Sequence, residues 1–326
     1  MADPIKDYAL MRQVHTVLVM HFVEGRKQSD IATALNLSAS KVNRLITLGR
    51  KLGMIRFEIE SPFQRLVDLE RDVVARGGLR SALVTPAMPG ASAANLKEVG
   101  RAAADELTET LRDGDVIAIT GGKAVSAVVE GLNVDRAFDV TVVPLTGGVQ
   151  GKYYTDVNHL ATQMAERLGG RTMLMHAPLF AESEEQRDML KSVASIREVL
   201  DLARRADVAV VGIGSIEPKG SSYYDLHPVP EADRKMLTGT GVAGEFLGHL
   251  ILSDGSLSNY AFNSRLVAVG PRELSEVARV IGVASGLEKV GPIRAVLNGG
   301  YLDALVVDEV TVGAVLTQSQ EKKIVA

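Results

Sequence analysis

Apolar positions recur at helical spacing near the start of the chain. Val14, Val17, Leu18 and Phe22 form one run, which Gly25 interrupts. Gln28 to Leu35 then reads as a short helix, with Ile31 and Leu35 on one face and small Ala32 and Ala34 available for close helix approach. Asn36-Leu37-Ser38 reads as a break. Asn tolerates a left-handed backbone, and a Ser hydroxyl caps the next helix by accepting from a free N–H. From Ala39 onward Val42, Leu45, Ile46 and Gly49 recur at i, i+3, i+4 and i+7, which predicts one buried stripe. Beyond Gly53, Met54 to Ile59 alternates like a strand and predicts a small wing.

After residue 60 the pattern changes. Pro62 to Gly77 is amphipathic through Leu66, Leu69, Val73 and Val74 and predicts a connecting helix closed by Gly77-Gly78. Short apolar runs then alternate with helical stretches. The strand candidates are Ala82–Thr85, Val116–Thr120, Val140–Leu145, Thr172–His176, Val208–Ile213, Leu266–Val269 and Leu305–Val307. The helical ones include Ala93–Leu111, Ala124–Leu132, Val157–Leu168 and Ser192–Arg205. Continuous apolar strands separated by helices predict a mostly parallel sheet covered on both faces. The expected fold is therefore α/β: a small all-α winged helix-turn-helix domain over residues 1–60, then a doubly wound, Rossmann-like domain over 61–326.

Composition narrows the chemistry. The 326 residues include no Cys, which excludes disulfides, thiol nucleophiles and Cys-ligated metals, and no Trp. No leader pattern and no run of about 18 apolar residues is present, so a cytoplasmic protein with no membrane span is expected. The net charge of −4 hides an asymmetry, because Arg26 to Phe57 holds seven basic residues against the single acid Asp30. A solvated helix face accounts for such a run by itself. The pattern within it says more: Ser40, Lys41, Asn43 and Arg44 occupy the face of the third helix opposite its buried stripe. Short polar and basic groups at a helix start suit base edges and phosphates in a DNA major groove. Gln28, Ser38, Ser40, Lys41, Asn43, Arg44, Arg50 and Lys51 are the expected DNA-binding residues.

Glycines cluster where strands are predicted to end. Gly121-Gly122-Lys123 follows Val116–Ile119 and opens a helix that carries Ser126. Gly147-Gly148 follows Val140–Leu145, and Gly212 and Gly214 follow Val208–Val211. Glycines at such turns are often purely structural, and neither a Walker loop nor a dinucleotide fingerprint is present. Three of them at the ends of one sheet predict a shared rim for a small polar ligand, where backbone N–H groups and helix N-termini favour anions. Glu245, between helix-like segments, Lys289 and Asn158 complete the expected effector set of Gly121, Gly122, Lys123, Ser126, Gly147, Gly148, Asn158, Gly212, Gly214, Glu245 and Lys289. No catalytic dyad, metal spacing or cofactor is evident.

The order of these features resembles the SorC family of bacterial sugar-responsive transcription regulators. The resemblance rests on QSDIATALNLSASKVNRLI, VIAITGGKAVSAVVEGL, VVPLTGGVQGKYYTDVNHLA, HAPLF, VVGIGS, GVAGEFLGHLILSDG and ARVIGVASGLEKVGPIRAVLNGGYLDALVVDEVTVGAVL, in that order. It implies a DNA-binding domain joined to an effector domain similar to sugar-phosphate isomerases and deaminases. It also implies a homodimer or homotetramer, operator DNA as partner, and a sugar, polyol or sugar-phosphate effector, most often controlling a carbohydrate operon by repression. By position Gly122, Lys123 and Ser126 match the family's phosphate-loop region, and Lys289 matches a Lys that approaches the effector and forms a Schiff base in some relatives. Three positions differ: Ala124 stands where Thr is frequent, Gly121 where an aromatic is, and Glu245 where Asp is. Phosphorylated and free effectors both stay open. The competing expectation is a sugar-phosphate isomerase or deaminase with an added helical domain, Glu245 and Lys289 serving as base and electrophile.

Overall fold

A computed structural model describes residues 4–56, 63–149, 156–216, 223, 237 and 239–317, with side chains from Tyr8 onward. The chain divides into two compact units, Met1–Pro62 and Phe63–Ala326.

The first unit is helical. α1 (Pro4–Leu18) continues into a π-helical turn, Val19–Val23, then come α2 (Gln28–Ala34) and α3 (Ala39–Lys51). The break between α2 and α3 has a local cause: Asn36 adopts φ +52°, and the Ser38 hydroxyl accepts the Lys41 N–H at 3.2 Å. The stripe Val42, Leu45 and Ile46 is buried against Val14, Val17 and Leu18 of α1 and Ile31 of α2. Met54–Arg56 forms no strand, and the remainder of the expected wing, Phe57–Ile59, lies outside the described residues.

The second unit begins with α4 (Gln64–Gly77) and β1 (Ser81–Thr85). Then follow α5 (Ser92–Thr110), β2 (Val116–Ile119), α6 (Lys123–Gly131), β3 (Thr141–Pro144), α7 (Val157–Leu168) and β4 (Arg171–Thr172). After α8 (Glu184–Ser192) and α9 (Ala194–Arg204) come β5 (Val208–Gly212), β6 (Val242–Phe246) and β7 (His249–Leu252). The described part ends with β8 (Val280–Ala284), α10 (Val290–Gly299), β9 (Ala304–Asp308) and α11 (Glu309–Thr317). Among the described residues seven strands form one sheet in the order β1-β9-β8-β5-β2-β3-β4, parallel at every pairing.

Strand alternation divides the side chains between two cores. Ala118, Val143, Ala209, Val211, Leu305 and Val307 face α9 and the 266–277 segment. Ile117, Ile119, Val142, Val210, Ile281 and Val306 face α5, α6 and α7. Burial on both faces is why these strands read as unbroken apolar runs.

Four expected elements differ. Thr172–His176 pairs only at Arg171–Thr172. Leu266–Val269 is apolar because it is buried, but it joins no strand; Leu266 and Ala268 make isolated antiparallel bridges to Phe180 and Thr146. The expected helix Ser192–Arg205 forms as α9 over Ala194–Arg204, with Ser192 ending α8 and extended Val193 between the two. Glu245 lies in the antiparallel hairpin β6–β7.

Candidate functional site

The strand order reverses between β5 and β2. From β2 the chain winds outward through β3 and β4, while β5, β8 and β9 lie on the other side. Ligands of open α/β sheets bind at such a switch point, beyond the carboxyl ends of the strands. A cleft of about 190 Å³ lies there, between the turns that leave β2, β5 and β8. Gly121, Gly122 and Lys123 line it after β2, Gly147 after β3, Gly212 at the end of β5 and Gly214 just beyond. The hairpin contributes Glu245, and the segment after β8 contributes Lys289. The three glycine-bearing turns therefore share one rim, as their positions in the chain predicted.

Three expected residues stay outside the cleft. Ser126 is buried within α6, where its hydroxyl bonds the Glu130 carboxylate one turn on at 3.2 Å. Asn158 pins a neighbouring segment, its Nδ2 donating to the Met175 carbonyl at 2.8 Å and its Oδ1 accepting the Met175 N–H at 2.9 Å. Gly148 is consumed in a bridge, donating to the Ala177 carbonyl and accepting from the Leu179 N–H. Other residues replace them. Ser92 and Leu96 reach the cleft from the first turns of α5, with Thr120, Thr146, Ser285, Leu247, Gly248 and Glu288. Thr120 closes the floor, its hydroxyl accepting the Gly212 N–H at 3.0 Å across from β2 to β5. A Thr just before a glycine pair was a visible signal for this residue; α5 gave none, because its start reads as an ordinary helix.

The hairpin places Glu245 by two devices. Gly214 and Glu245 exchange backbone hydrogen bonds of 2.8 and 2.9 Å, and a Cβ on Gly214 would lie 2.1 Å from the Glu245 Oε2. Only glycine leaves room for this carboxylate. The turn Leu247-Gly248 has φ of +53° and +81°, and the Gly248 N–H donates to the Glu245 Oε1 at 2.5 Å. A left-handed Leu costs roughly 1–2 kcal/mol. Burial of the Leu247 side chain in the core, worth about 1.5–3 kcal/mol, offsets that strain.

The cleft's charges are mutually placed. Part of Glu245 opens to the cleft, yet protein crowds its carboxylate; this desolvation raises its pKa, opposed by the Gly248 N–H and the charge of Lys289. Desolvation likewise lowers the pKa of Lys289; Glu288 and Glu245 oppose the shift, while Lys123 adds to it. Cations, carboxylates, hydroxyls and the backbone at the start of α6 thus surround one small space. Such a set recognises a polyhydroxylated molecule: carboxylates accept from hydroxyls, and ammonium groups donate to hydroxyl or phosphate oxygens.

In the first unit, α3 exposes Ser40, Lys41, Asn43 and Arg44 on the face opposite its buried stripe. The Arg44 guanidinium donates to the Ser40 hydroxyl at 3.2 Å, so the two act as a pair one turn apart. Thr47, exposed on the same helix, donates to the Asn43 carbonyl at 2.9 Å. Ser38 sits just before α3 as its cap, and Gln28 starts α2 half-buried. Arg50 and Lys51 end α3, and the Arg50 guanidinium lies 5.8 Å over the Phe22 ring.

Comparison with known proteins gives matches to both units. Residues 61–317 match the family described as "Putative sugar-binding domain", and residues 9–52 match "Sigma-70, region 4". The erythritol catabolism regulatory protein EryD of Brucella abortus (strain 2308) is 31% identical over 309 residues, covering 93% of this chain and 96% of that protein. The transcriptional regulator LsrR of Enterobacter sp. (strain 638) is 31% identical over 299 residues, covering 91% of this chain and 90% of that one. The full-length sorbitol operon regulator SorC from Klebsiella pneumoniae shares the fold with a TM-score of 0.73 at 24% identity, over 94% of this chain and 99% of that one.

Proposed function

The chain belongs to the SorC family of sugar-responsive transcription regulators, and on that premise we propose how it works. It is a DNA-binding regulator and not an isomerase or deaminase, because the relatives it matches over nearly their full lengths are regulators. In our reading it is a cytoplasmic repressor of a carbohydrate or polyol catabolic operon. The observation that carries this reading is the switch-point cleft, with Glu245 and Lys289 facing the turns at Gly121–Lys123 and Gly212–Gly214.

The effector is a sugar, polyol or sugar phosphate held in that cleft. Its hydroxyls bond Glu245, and Lys123, Lys289 and the start of α6 take its most electronegative group. On the DNA side α3 enters the major groove, Lys41, Arg50 and Lys51 hold phosphates, and Ser40, Asn43 and Arg44 read bases. The protein acts as a homodimer or homotetramer, so its operator is palindromic. Effector binding shifts operator affinity by a coupling of about 1–3 kcal/mol.

The test is a thermal-shift screen of the full chain against free and phosphorylated pentoses, hexoses and polyols. One relative is named for erythritol catabolism, so four-carbon polyols lead the panel. A ligand at 100 times its Kd stabilises the fold by about 2.7 kcal/mol. A shift confined to phosphorylated compounds assigns an anion site at Gly121–Lys123, and a shift confined to free ones assigns hydroxyl recognition by Glu245. A panel without any shift, or a shifting ligand that leaves operator affinity unchanged, refutes the proposal.

A further inference from the structure

Lys289 reaches the cleft from a short 3-10 turn, Leu287–Lys289, which starts at Gly286. Gly286 has φ +115°, and its carbonyl accepts the Lys289 N–H at 2.9 Å. Its own N–H is held from below. It donates to the Thr311 Oγ1 at 2.8 Å and to the Asp308 Oδ2 at 3.3 Å. Thr311 and Asp308 are joined in turn: the Thr311 Oγ1 donates to the Asp308 Oδ2 at 2.6 Å, and the Thr311 N–H donates to the Asp308 Oδ1 at 2.8 Å. Both residues are almost wholly buried, at 2% and 1% exposure, and neither lines the cleft.

We propose that Asp308 and Thr311 are positioning residues of the effector site: through the Gly286 amide they hold the turn that presents Lys289 and Glu288 to the cleft. Asp308 ends β9 and Thr311 lies in the first turn of α11, so the pair also caps that helix. Capping accounts for the bond from the Thr311 N–H to Asp308. It does not account for the hydroxyl, which bridges to Gly286, 25 residues earlier in the chain. The hydroxyl makes the shorter contact to the turn, accepting from Gly286 at 2.8 Å while donating to Asp308. A buried, fully partnered pair of this kind has one low-energy geometry, and losing one member leaves the other unsatisfied. The turn above it then loses its anchor, and Lys289 gains water. The inference deepens the effector reading of the cleft, yet its test needs no effector.

The experiment follows the Lys289 amine directly. Full-length protein with 13C-methylated lysines is titrated by NMR, the Lys289 signal being assigned with Lys289→Arg. Crowding by protein, with the charge of Lys123, outweighs the opposing charges of Glu288 and Glu245, so the Lys289 midpoint lies below that of a free lysine. In Thr311→Val, which keeps the shape and removes the hydroxyl, the midpoint rises by about 0.5 or more as water reaches the amine. Asp308→Asn, which removes an acceptor from the same bridge, moves it in the same direction. Thr311→Ser restores the wild-type value. If Thr311→Val fails to fold, the comparison of Asp308→Asn with Thr311→Ser carries the test. An unchanged Lys289 midpoint in folded Thr311→Val or Asp308→Asn overturns the proposal, because the pair then serves only the start of α11. A midpoint in Thr311→Ser that matches Thr311→Val overturns it too, since side-chain bulk and not the hydroxyl would be at work. Failure of every sugar and polyol to bind the wild type refutes the effector reading alone and leaves this result standing.

Discussion

Replacing Gly214 by Ala probes the site through a single methyl group. The added Cβ lies 2.1 Å from the Glu245 Oε2, while ordinary contact begins at 3.4 Å, so the carboxylate must retreat by more than 1 Å. Its other oxygen then leaves the Gly248 N–H, which it accepts at 2.5 Å. A hydrogen bond to a charged group is worth about 1.5–3 kcal/mol. Part of that loss is regained in water, because the end of a Glu side chain is flexible and Glu245 borders an open cleft. We therefore expect Gly214→Ala to melt within a few degrees of wild type, corresponding to about 1 kcal/mol. Effector affinity falls much further, by about 10- to 100-fold, or 1.4–2.7 kcal/mol, since Glu245 no longer stands where the ligand meets it. The assay is calorimetric titration of the panel's best ligand into wild type, Gly214→Ala, Glu245→Ala and the double variant. If Gly214 acts through Glu245, the second substitution adds almost nothing to the first. Wild-type affinity in Gly214→Ala, or full additivity in the double variant, refutes the assignment of Glu245 as the contact that glycine protects.

Further outcomes follow from other parts of the molecule. Arg44→Ala weakens operator binding by about 1–3 kcal/mol and relaxes sequence preference at one position, measured by fluorescence anisotropy on systematically varied operators; undiminished affinity removes α3 from the groove. Asn158→Ala lowers stability by about 1–3 kcal/mol, through the two bonds to Met175, and leaves effector affinity intact; weakened binding at unchanged stability would return Asn158 to the cleft. Burial lowers the His249 pKa to about 4, and its Nδ1 lies 3.0 Å from the Leu247 carbonyl, to which only a protonated Nδ1 donates. The unfolded state therefore binds the extra proton first. Stability is full above pH about 6.5 and declines as the pH falls toward 4, by about 3 kcal/mol from this group. Urea unfolding across that window, compared with His249→Gln, checks the slope; parallel pH profiles for the two proteins sink the idea.

Much of this protein was legible along the chain because the deciding interactions are local. The buried stripe of α3 repeats within two turns, and the Asn36 and Ser38 break is settled by the backbone on either side. The strands β2, β3, β5 and β9 announce themselves because burial on both sides demands unbroken apolar runs. The three glycine turns converge for a similar reason: every strand of a parallel sheet ends at the same edge. Side-chain direction was not legible. Ser126 and Asn158 have suitable chemistry at suitable places, yet the packing of α6 and α7 points one into its own helix and the other at Met175. The hairpin under Glu245 was hidden as well, since Leu-Gly is no ordinary turn signal and is tolerated only because the Leu is buried. The Asp308–Thr311 bridge to Gly286 joins positions more than 20 residues apart, across neighbouring strands β8 and β9. Periodicity and chain direction were enough to set α2, α3, the strands β2, β3, β5 and β9, and the edge of the sheet that collects the turns. The tertiary structure alone decided which polar groups meet in the cleft, because that depends on strand order and on the rotation each helix takes to bury its apolar face.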